Sequence, residues 1–135
     1  MEEQKMKVIA VDDDDVILDI YEQGLPLKGY EVKTFADPKK AKEFLLSTDS
    51  LPDAILMDIM MPSIDGISLM NELHSSEKTA HIPIIAVSGL QDAATLNDAL
   101  LFGAIDYVVK PFEIDFLDAK IKRAVEVAKK RAEKK

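Results

Sequence analysis

The side chains of this 135-residue chain that could do chemistry stand at the ends of four separate apolar runs. An acidic pair follows the first run, one aspartate follows a later run, and a serine and a lysine follow two more. These residues are Asp12, Asp13, Asp58, Ser88 and Lys110. If the runs are parallel strands of one sheet, their carboxyl ends lie along one edge and bring these groups together. Three carboxylates, a hydroxyl and an ammonium at one place would form a site for a divalent metal ion and a phosphoryl group.

The acidic residues favour magnesium over the other metal sites that a sequence can reveal. A carboxylate beside two others has its charge disfavoured unless a cation offsets it. Mg²⁺ meets that need, because it takes oxygen ligands and is usually held by one or two carboxylates with waters and phosphate oxygens. The run from Asp12 to Asp15 lacks the alternation and the glycine of an EF-hand loop. Each residue alone has an ordinary explanation as a cap or turn residue, and the joint order of all of them is what makes the pattern specific.

Five apolar runs alternate with helical patterns, and these elements must position the site. The runs are four or five residues long and often β-branched, as buried strands are. We predict strands at residues 7–11, 31–35, 53–57, 83–87 and 105–109. Five βα units in a row predict an α/β fold, a doubly wound five-stranded parallel sheet with helices on both faces.

The helical segments carry start and stop signals of their own. The first helix is predicted to begin near Asp14, to bury Ile17, Ile20 and Tyr21, and to end or kink at residues 22–25, because Gly24 and Pro26 follow. Further helices are predicted from Asp37-Pro38, from Asp65-Gly66 and over residues 92–102. The last helix is predicted to bury a stripe of apolar residues at helical spacing: Leu117, Ile121, Ala124, Val125 and Ala128.

Composition excludes several function classes. The absence of cysteine rules out disulfides and thiolate metal sites, and a net charge of −8 argues against general affinity for nucleic acid. No apolar stretch approaches the roughly 18 residues of a membrane span, and the N-terminus lacks a signal-peptide core. The cytoplasm is therefore the expected location, with no membrane partner and no direct nucleic-acid partner. His74 and His81 share no metal-ligand spacing and are expected at the surface.

At this point the chain resembles the receiver domain of bacterial two-component response regulators. Four segments carry the resemblance, in the family's order: residues 8–14, residues 56–62 with Asp65-Gly66, residues 84–89 and residues 103–112. The match covers about residues 7–130. It implies a flavodoxin-like sheet with strand order 2-1-3-4-5 and one receiver domain over residues 1–135, with no output domain in this sequence.

The resemblance also implies a role for each matching residue. Asp58 would be the phosphoacceptor. Mg²⁺, for which Mn²⁺ could substitute, would be held by Asp12, Asp13, Asp58 and the backbone carbonyl of Met60. Ser88, with Gly89 beside it, would be the switch hydroxyl, Lys110 would pair with the phosphoryl group, and Tyr107 would be the aromatic switch residue. Met60 and Leu90 are apolar where some members carry groups that orient water, so we expect slow loss of the phosphoryl group.

The implied function is phosphoryl transfer from a histidine kinase phosphohistidine to Asp58, which switches the face formed by helix 4, strand 5 and helix 5. The chain would be a phosphoacceptor that catalyses its own phosphorylation and dephosphorylation, and not an enzyme with a separate substrate. Expected partners are a sensor histidine kinase or phosphotransfer protein, an effector on the switched face, and a second copy after phosphorylation. Two alternatives remain. One is an unphosphorylated interaction module, and the other is a Mg²⁺-dependent phosphohydrolase, which would place its aspartates as Asp-x-Asp after the first strand.

Overall fold

Apolar strands and capped helices alternate along the chain, as the sequence predicts. The computed structural model describes residues 5–59, 66–89, 93–101 and 103–133. Its strands are β1 Met6–Val11, β2 Tyr30–Phe35, β3 Ala54–Asp58, β4 Ile84–Ser88 and β5 Ala104–Val109. Its helices are α1 Asp15–Gly24, α2 Pro38–Ser47, α3 Gly66–Ser75, α4 Ala93–Leu101 and α5 Ile114–Glu133, with a 3₁₀ turn at Pro26–Lys28.

All five strands are parallel and lie in the order β2-β1-β3-β4-β5, which confirms the predicted fold and strand order. The register between β4 and β5 shifts by one residue near its start, where Ile84 pairs with Ala104 but Ile85 pairs with Asp106. The predicted bounds of β3 and β4 were wrong by one residue. Asp58 and Ser88 are the last paired residues of their strands and not the first residues beyond them, because backbone pairing, and not side-chain polarity, decides where a strand ends.

Helix α1 shows how local signals set an element and where they fall short. The Asp14 carboxylate accepts a hydrogen bond of 2.9 Å from the Val16 N–H and so caps the helix. The helix ends at Gly24, within the predicted segment. Its inner face was partly predicted wrongly, because Leu18 and Tyr21 are buried whereas Ile20 is 38% exposed. Leu18, Tyr21 and Leu25 recur at the three- and four-residue spacing of one helix face, and Ile20 lies about 100° away from Tyr21.

The sheet separates two apolar cores. One core packs α1 and α5 against the sheet, through residues such as Leu18, Tyr21 and Ile121. The other core packs α2, α3 and α4 against the opposite face, through residues such as Leu45 and Leu69. Both β3 and β4 are buried along their whole length, as strands covered by helices on both faces must be. No helix in the described part of the chain is both long and apolar enough to span a membrane.

Candidate functional site

The register of the sheet brings the predicted site residues to one edge. Val11 lies opposite Met57, so Asp12 leaves β1 beside Asp58 at the end of β3. Asp58 itself lies opposite Val87, which places Ser88 one residue further along β4. Because β1, β3 and β4 are neighbours in the sheet, polar groups from distant parts of the sequence converge at its carboxyl edge.

Asp12 is a buried carboxylate with an incomplete set of partners. Its side chain is 0% exposed. Its Oδ1 accepts a hydrogen bond of 2.9 Å from the Asp14 N–H. The Lys110 Nζ lies 2.7 Å from Oδ2 and forms an ion pair with it, but no described residue donates a hydrogen bond of regular geometry to that oxygen. The contact with Lys110 is therefore an ion pair, and Oδ2 keeps lone pairs that can bind a further cation.

Three carboxylates form the predicted acidic cluster. Oxygen atoms of Asp12, Asp13 and Asp58 lie within 4.8 Å of one another. Asp12 and Asp58 are buried, whereas Asp13 is exposed. The cluster suits a hard divalent cation, because it combines oxygen donors, a buried carboxylate oxygen without a donor, and one side open to solvent for waters and a further ligand. These residues, and not histidines, would hold the metal, since His74 and His81 are exposed as predicted.

Lys110 reaches the acidic cluster from the end of β5, the outermost strand on that side of the sheet. It follows β5, which is separated from β3 by β4, and its N–H donates to the Ser88 carbonyl at 2.8 Å. Its Nζ lies 3.7 Å from Asp58 Oδ2, as well as beside Asp12. The side chain is 17% exposed. The Lys110–Pro111 peptide bond is cis. The site therefore pairs two buried carboxylates with one largely buried ammonium.

The remaining predicted residues divide into two groups. Ser88 is buried at the end of β4, next to the acidic edge, and Gly89 beside it is exposed. Tyr107 lies opposite Ala86 and is 37% exposed. Tyr107 is one of the residues that line a surface hollow with Phe116 and Lys120, and it is not part of the cluster of Asp12, Asp13 and Asp58. Met60 and Leu90 lie outside the described residues, so their predicted roles stay predictions.

Gly66 has a packing role beside Asp58 that the sequence analysis did not assign to it. A Cβ built at this position would lie 2.1 Å from the Asp58 carbonyl oxygen and 2.5 Å from the Ile59 Cα. Its N–H donates to the Ile59 carbonyl at 3.3 Å. The first residue of α3 is therefore held against the backbone that carries Asp58. The sequence places Asp65-Gly66 at the start of a helix and within the family resemblance, and the close approach shows why this position requires glycine.

Tyr21 was predicted to lie in the core but not near the site. It is almost fully buried, and its ring stacks on that of Phe112 with centroids 5.8 Å apart and an interplanar angle of 12°. Burial raises the pKa of the Tyr21 phenol above its ordinary value, and the nearby charges of Asp12 and Asp58 raise it further. The phenol therefore stays neutral next to the acidic cluster. Its position at helical spacing was the available signal, although that signal points to packing only.

Known proteins match this sequence and this fold. The model of the response regulator receiver domain matches residues 8–122. The protein named Probable transcriptional regulator ycf27 of Guillardia theta is 38% identical over 130 residues, which are 96% of this chain and 49% of that protein. The chain thus spans about half the length of this relative and of three others of the same name.

Two solved structures are similar in fold as well. A CheY-like response regulator receiver domain protein from Methanospirillum hungatei matches with a TM-score of 0.84 and 27% identity, over 95% of this chain and 99% of that one. The receiver domain of the sensor histidine kinase PA1611 from Pseudomonas aeruginosa, described with a magnesium ion coordinated in its active-site cleft, matches with a TM-score of 0.82 and 29% identity, over 91% and 99%. This chain belongs to the family of response regulator receiver domains.

Proposed function

We propose that this chain is a phosphorylatable receiver, acting as one domain over residues 1–135, in which Asp58 accepts a phosphoryl group from a phosphohistidine. The donor would be a sensor histidine kinase or a phosphotransfer protein. The observation that carries the proposal is the surroundings of the buried Asp58 carboxylate. The Lys110 ammonium lies 3.7 Å away, and carboxylate oxygens of Asp12 and Asp13 lie within 4.8 Å.

The chemistry is an in-line displacement with Asp58 as nucleophile. A carboxylate oxygen of Asp58 forms a bond to phosphorus while the phosphorus–nitrogen bond of the donor histidine breaks, and the bonding pair returns to the imidazole. The product is an acyl phosphate. Lys110, fixed beside Asp58, neutralises charge on the transferring oxygens. Asp12, Asp13 and Asp58 would hold Mg²⁺, which supplies further positive charge against those oxygens when it is bound.

Ser88 and Tyr107 would convert the modification into a change of surface. The phosphoryl group adds about −1.5 to −2 of charge at the end of β3. The Ser88 hydroxyl, on the neighbouring strand, would donate to a phosphoryl oxygen, and Tyr107 would leave its exposed position and pack inward. Such a change shifts the populations of two conformations through a small difference in contacts.

The surface that responds is the face formed by α4, β5 and α5, where an effector or a second copy would bind. Large apolar side chains are exposed in each of these elements: Leu100, Leu101, Tyr107 and Phe116. A change in the position of Tyr107 would alter this surface directly. The relatives that are named as transcriptional regulators extend well beyond the matched region, and an output of that kind would be reached through this face.

We also propose that the acyl phosphate is long-lived. Met60 and Leu90 carry no group that could orient an attacking water, so hydrolysis would depend on Lys110 and the bound metal alone. The half-life of the phosphorylated protein in Mg²⁺ measures this directly. A lifetime of seconds would rule the proposal out.

Incubation with acetyl phosphate and Mg²⁺ tests the proposed function. We expect intact-mass spectrometry to show an acid-stable, base-labile gain of about 80 Da, the mass of one phosphoryl group replacing a proton. The adduct should be absent in Asp58→Asn, and it should form much more slowly in Asp13→Asn, which removes an exposed carboxylate from the metal site. Steady release of phosphate without an adduct would indicate a phosphohydrolase. Neither adduct nor release would indicate an interaction module that is not phosphorylated.

A further inference from the structure

Helix α1 contacts both halves of the site. Its cap residue Asp14 donates the backbone N–H that fixes the Asp12 carboxylate. About two turns further along, the Tyr21 ring stacks on Phe112, two residues after Lys110. The start of α1 therefore orients a carboxylate, and the middle of α1 contacts the loop that carries Lys110.

The loop in question spans residues 110–113 and joins β5 to α5. Lys110 is the first residue of this loop, and its backbone N–H donates to the Ser88 carbonyl at 2.8 Å. Phe112 is partly buried against the core that includes Tyr21. The ring stack is nearly parallel, at 12°, so it fixes the tilt of Phe112 as well as its place. With only Pro111 between them, a shift of Phe112 is carried directly to Lys110.

A second contact keeps the end of α1 against the same region. A Cβ at Gly24 would lie 2.7 Å from side-chain atoms of Ile114, the first residue of α5. Helix α1 and the start of α5 therefore lie so close together that only a glycine fits at position 24. This approach holds the Tyr21 ring in register with Phe112.

We propose that Tyr21 is a positioning residue whose ring, stacked on Phe112, holds the β5–α5 loop so that the Lys110 ammonium stays beside Asp12 and Asp58. The consequence for phosphoryl transfer rests on the proposed function, whereas the placement of Lys110 does not. The aromatic ring is the working part, because the contact to Phe112 is made by the two rings. Tyr21→Phe should therefore preserve the effect and Tyr21→Leu should remove it.

The first test measures the position of Lys110 without any phosphorylation. Trace acetylation of lysines, quantified for each residue by peptide mass spectrometry, compares the wild type with Tyr21→Leu and Tyr21→Phe. We expect labelling of Lys110 to rise at least about threefold in Tyr21→Leu and to stay unchanged in Tyr21→Phe, because a loop that opens locally exposes its amine. Equal labelling of Lys110 in the wild type and Tyr21→Leu would overturn the proposal.

A matched control separates positioning from loss of stability. Phe35 and Phe44 form the other aromatic pair of the described residues, with centroids 5.5 Å apart, on the opposite face of the sheet. Phe44→Leu removes a ring contact of the same kind and should destabilise the protein, but it should leave Lys110 labelling unchanged. Should Tyr21→Leu fail to fold, Phe112→Leu removes the same stack from the other side and carries the same expectation.

The second test is a double-mutant cycle on the rate of acyl-phosphate formation. In a protein that is otherwise wild type, Tyr21→Leu should slow the reaction at least about threefold. In the Lys110→Ala variant it should leave the rate unchanged, because the substitution acts only through Lys110. Equal slowing in both backgrounds would contradict the proposal. If the wild type forms no acyl phosphate, the proposed function fails, and the labelling experiment still decides whether Tyr21 positions Lys110.

Discussion

The two edges of the sheet treat polar groups in opposite ways. At the amino edge, polar side chains are paired within the protein. The Asp53 carboxylate accepts from the Lys7 N–H at 2.8 Å, and the Tyr30 hydroxyl donates to Asp118 at 2.6 Å. At the carboxyl edge, two buried carboxylates and an exposed one lie within 4.8 Å of one another, and the Lys110 ammonium lies beside the two buried ones.

The difference separates residues that stabilise the fold from residues kept for a ligand. A buried carboxylate without a full set of donors costs free energy, because its lost hydration is not replaced. The amino edge avoids that cost through pairing or exposure. The carboxyl edge accepts it at Asp12, where an oxygen without a donor is what an incoming cation requires. Variants at matched positions on the two edges can test this contrast.

The largest effect is expected when one glycine at each edge, Gly66 and Gly29, is replaced by alanine. Gly66→Ala forces a methyl group against the Asp58 carbonyl, and we expect a loss of about 3 kcal/mol in the free energy of unfolding. At the amino edge, a Cβ at Gly29 meets no atom of the described part of the chain within 4 Å, but φ is +92°, so Gly29→Ala is expected to cost about 1 kcal/mol. Urea denaturation measures both, and equal losses would contradict the constraint at Gly66.

The second prediction compares a lysine at each edge. Lys110→Met leaves the Asp12 carboxylate buried without a cation, which should cost about 2 kcal/mol in metal-free buffer. Millimolar Mg²⁺ should recover part of that loss, because a bound cation again faces Asp12. Lys7→Met is the control, since its pair with Glu31 is exposed and 4.0 Å long, and it should cost less than about 0.5 kcal/mol. Equal losses in the free energy of unfolding for the two variants, measured by urea titration without metal, would contradict the difference proposed between the two edges.

The third prediction uses the tyrosines that lie at the two edges. Burial raises the pKa of Tyr21, with help from Asp12 and Asp58, and burial together with the Asp118 hydrogen bond raises the pKa of Tyr30. The stability that each contributes is complete below the unfolded pKa near 10 and is lost as pH rises above it, because only the unfolded phenol ionises. Each should add a slope of about 1.4 kcal/mol per pH unit there.

Tyr21→Phe and Tyr30→Phe isolate these slopes. Each variant should lose less stability than the wild type between pH 10 and pH 11 in urea titrations, and below pH 9 the difference should not vary with pH. An unchanged alkaline slope in Tyr30→Phe would mean that its phenol ionises as readily in the folded protein as in the unfolded chain.

The smallest effect is expected at Gly89, on the carboxyl edge but outside the crowded part of it. A Cβ there meets none of the described residues within 4 Å, and the backbone does not have a positive φ. Gly89→Ala should therefore stabilise the protein by about 0.5 kcal/mol through the unfolded state. Destabilisation in thermal melts would show that this position needs the freedom of glycine, in contrast to its open surroundings.

Much of this architecture could be predicted from the sequence. Short β-branched runs separated by capped helical patterns predict the strands, and the order of Asp12, Asp58, Ser88 and Lys110 predicts where the polar groups converge. Helix α1 shows the limit of periodicity. Its apolar residues at 16, 17, 18, 20 and 21 are compatible with more than one inner face, so the tertiary contacts decide that Ile20 is exposed.

The residues that the sequence did not assign to the site depend on close approaches between distant segments. Gly66 is required because α3 begins against the backbone of Asp58, and Tyr21 is placed there because Phe112 returns to it across the core. Neither approach leaves a local pattern in the sequence. The exposed position of Tyr107 is of the same kind, since packing around β5, and not residue type, determines where its ring lies.

The one-residue register shift between β4 and β5 determines which way the functional residues of β5 point. Ile105 packs into the core beneath α5, and its neighbour Asp106 also turns toward α5, where Lys120 lies 3.0 Å away. Two successive side chains on the same side reverse the alternation of every later residue in the strand. Without that extra residue, Val108 would face outward and Tyr107 would be forced beneath α5. An irregularity at the amino edge thus decides to which face of the sheet Tyr107 and Lys110 point at the other end of the strand.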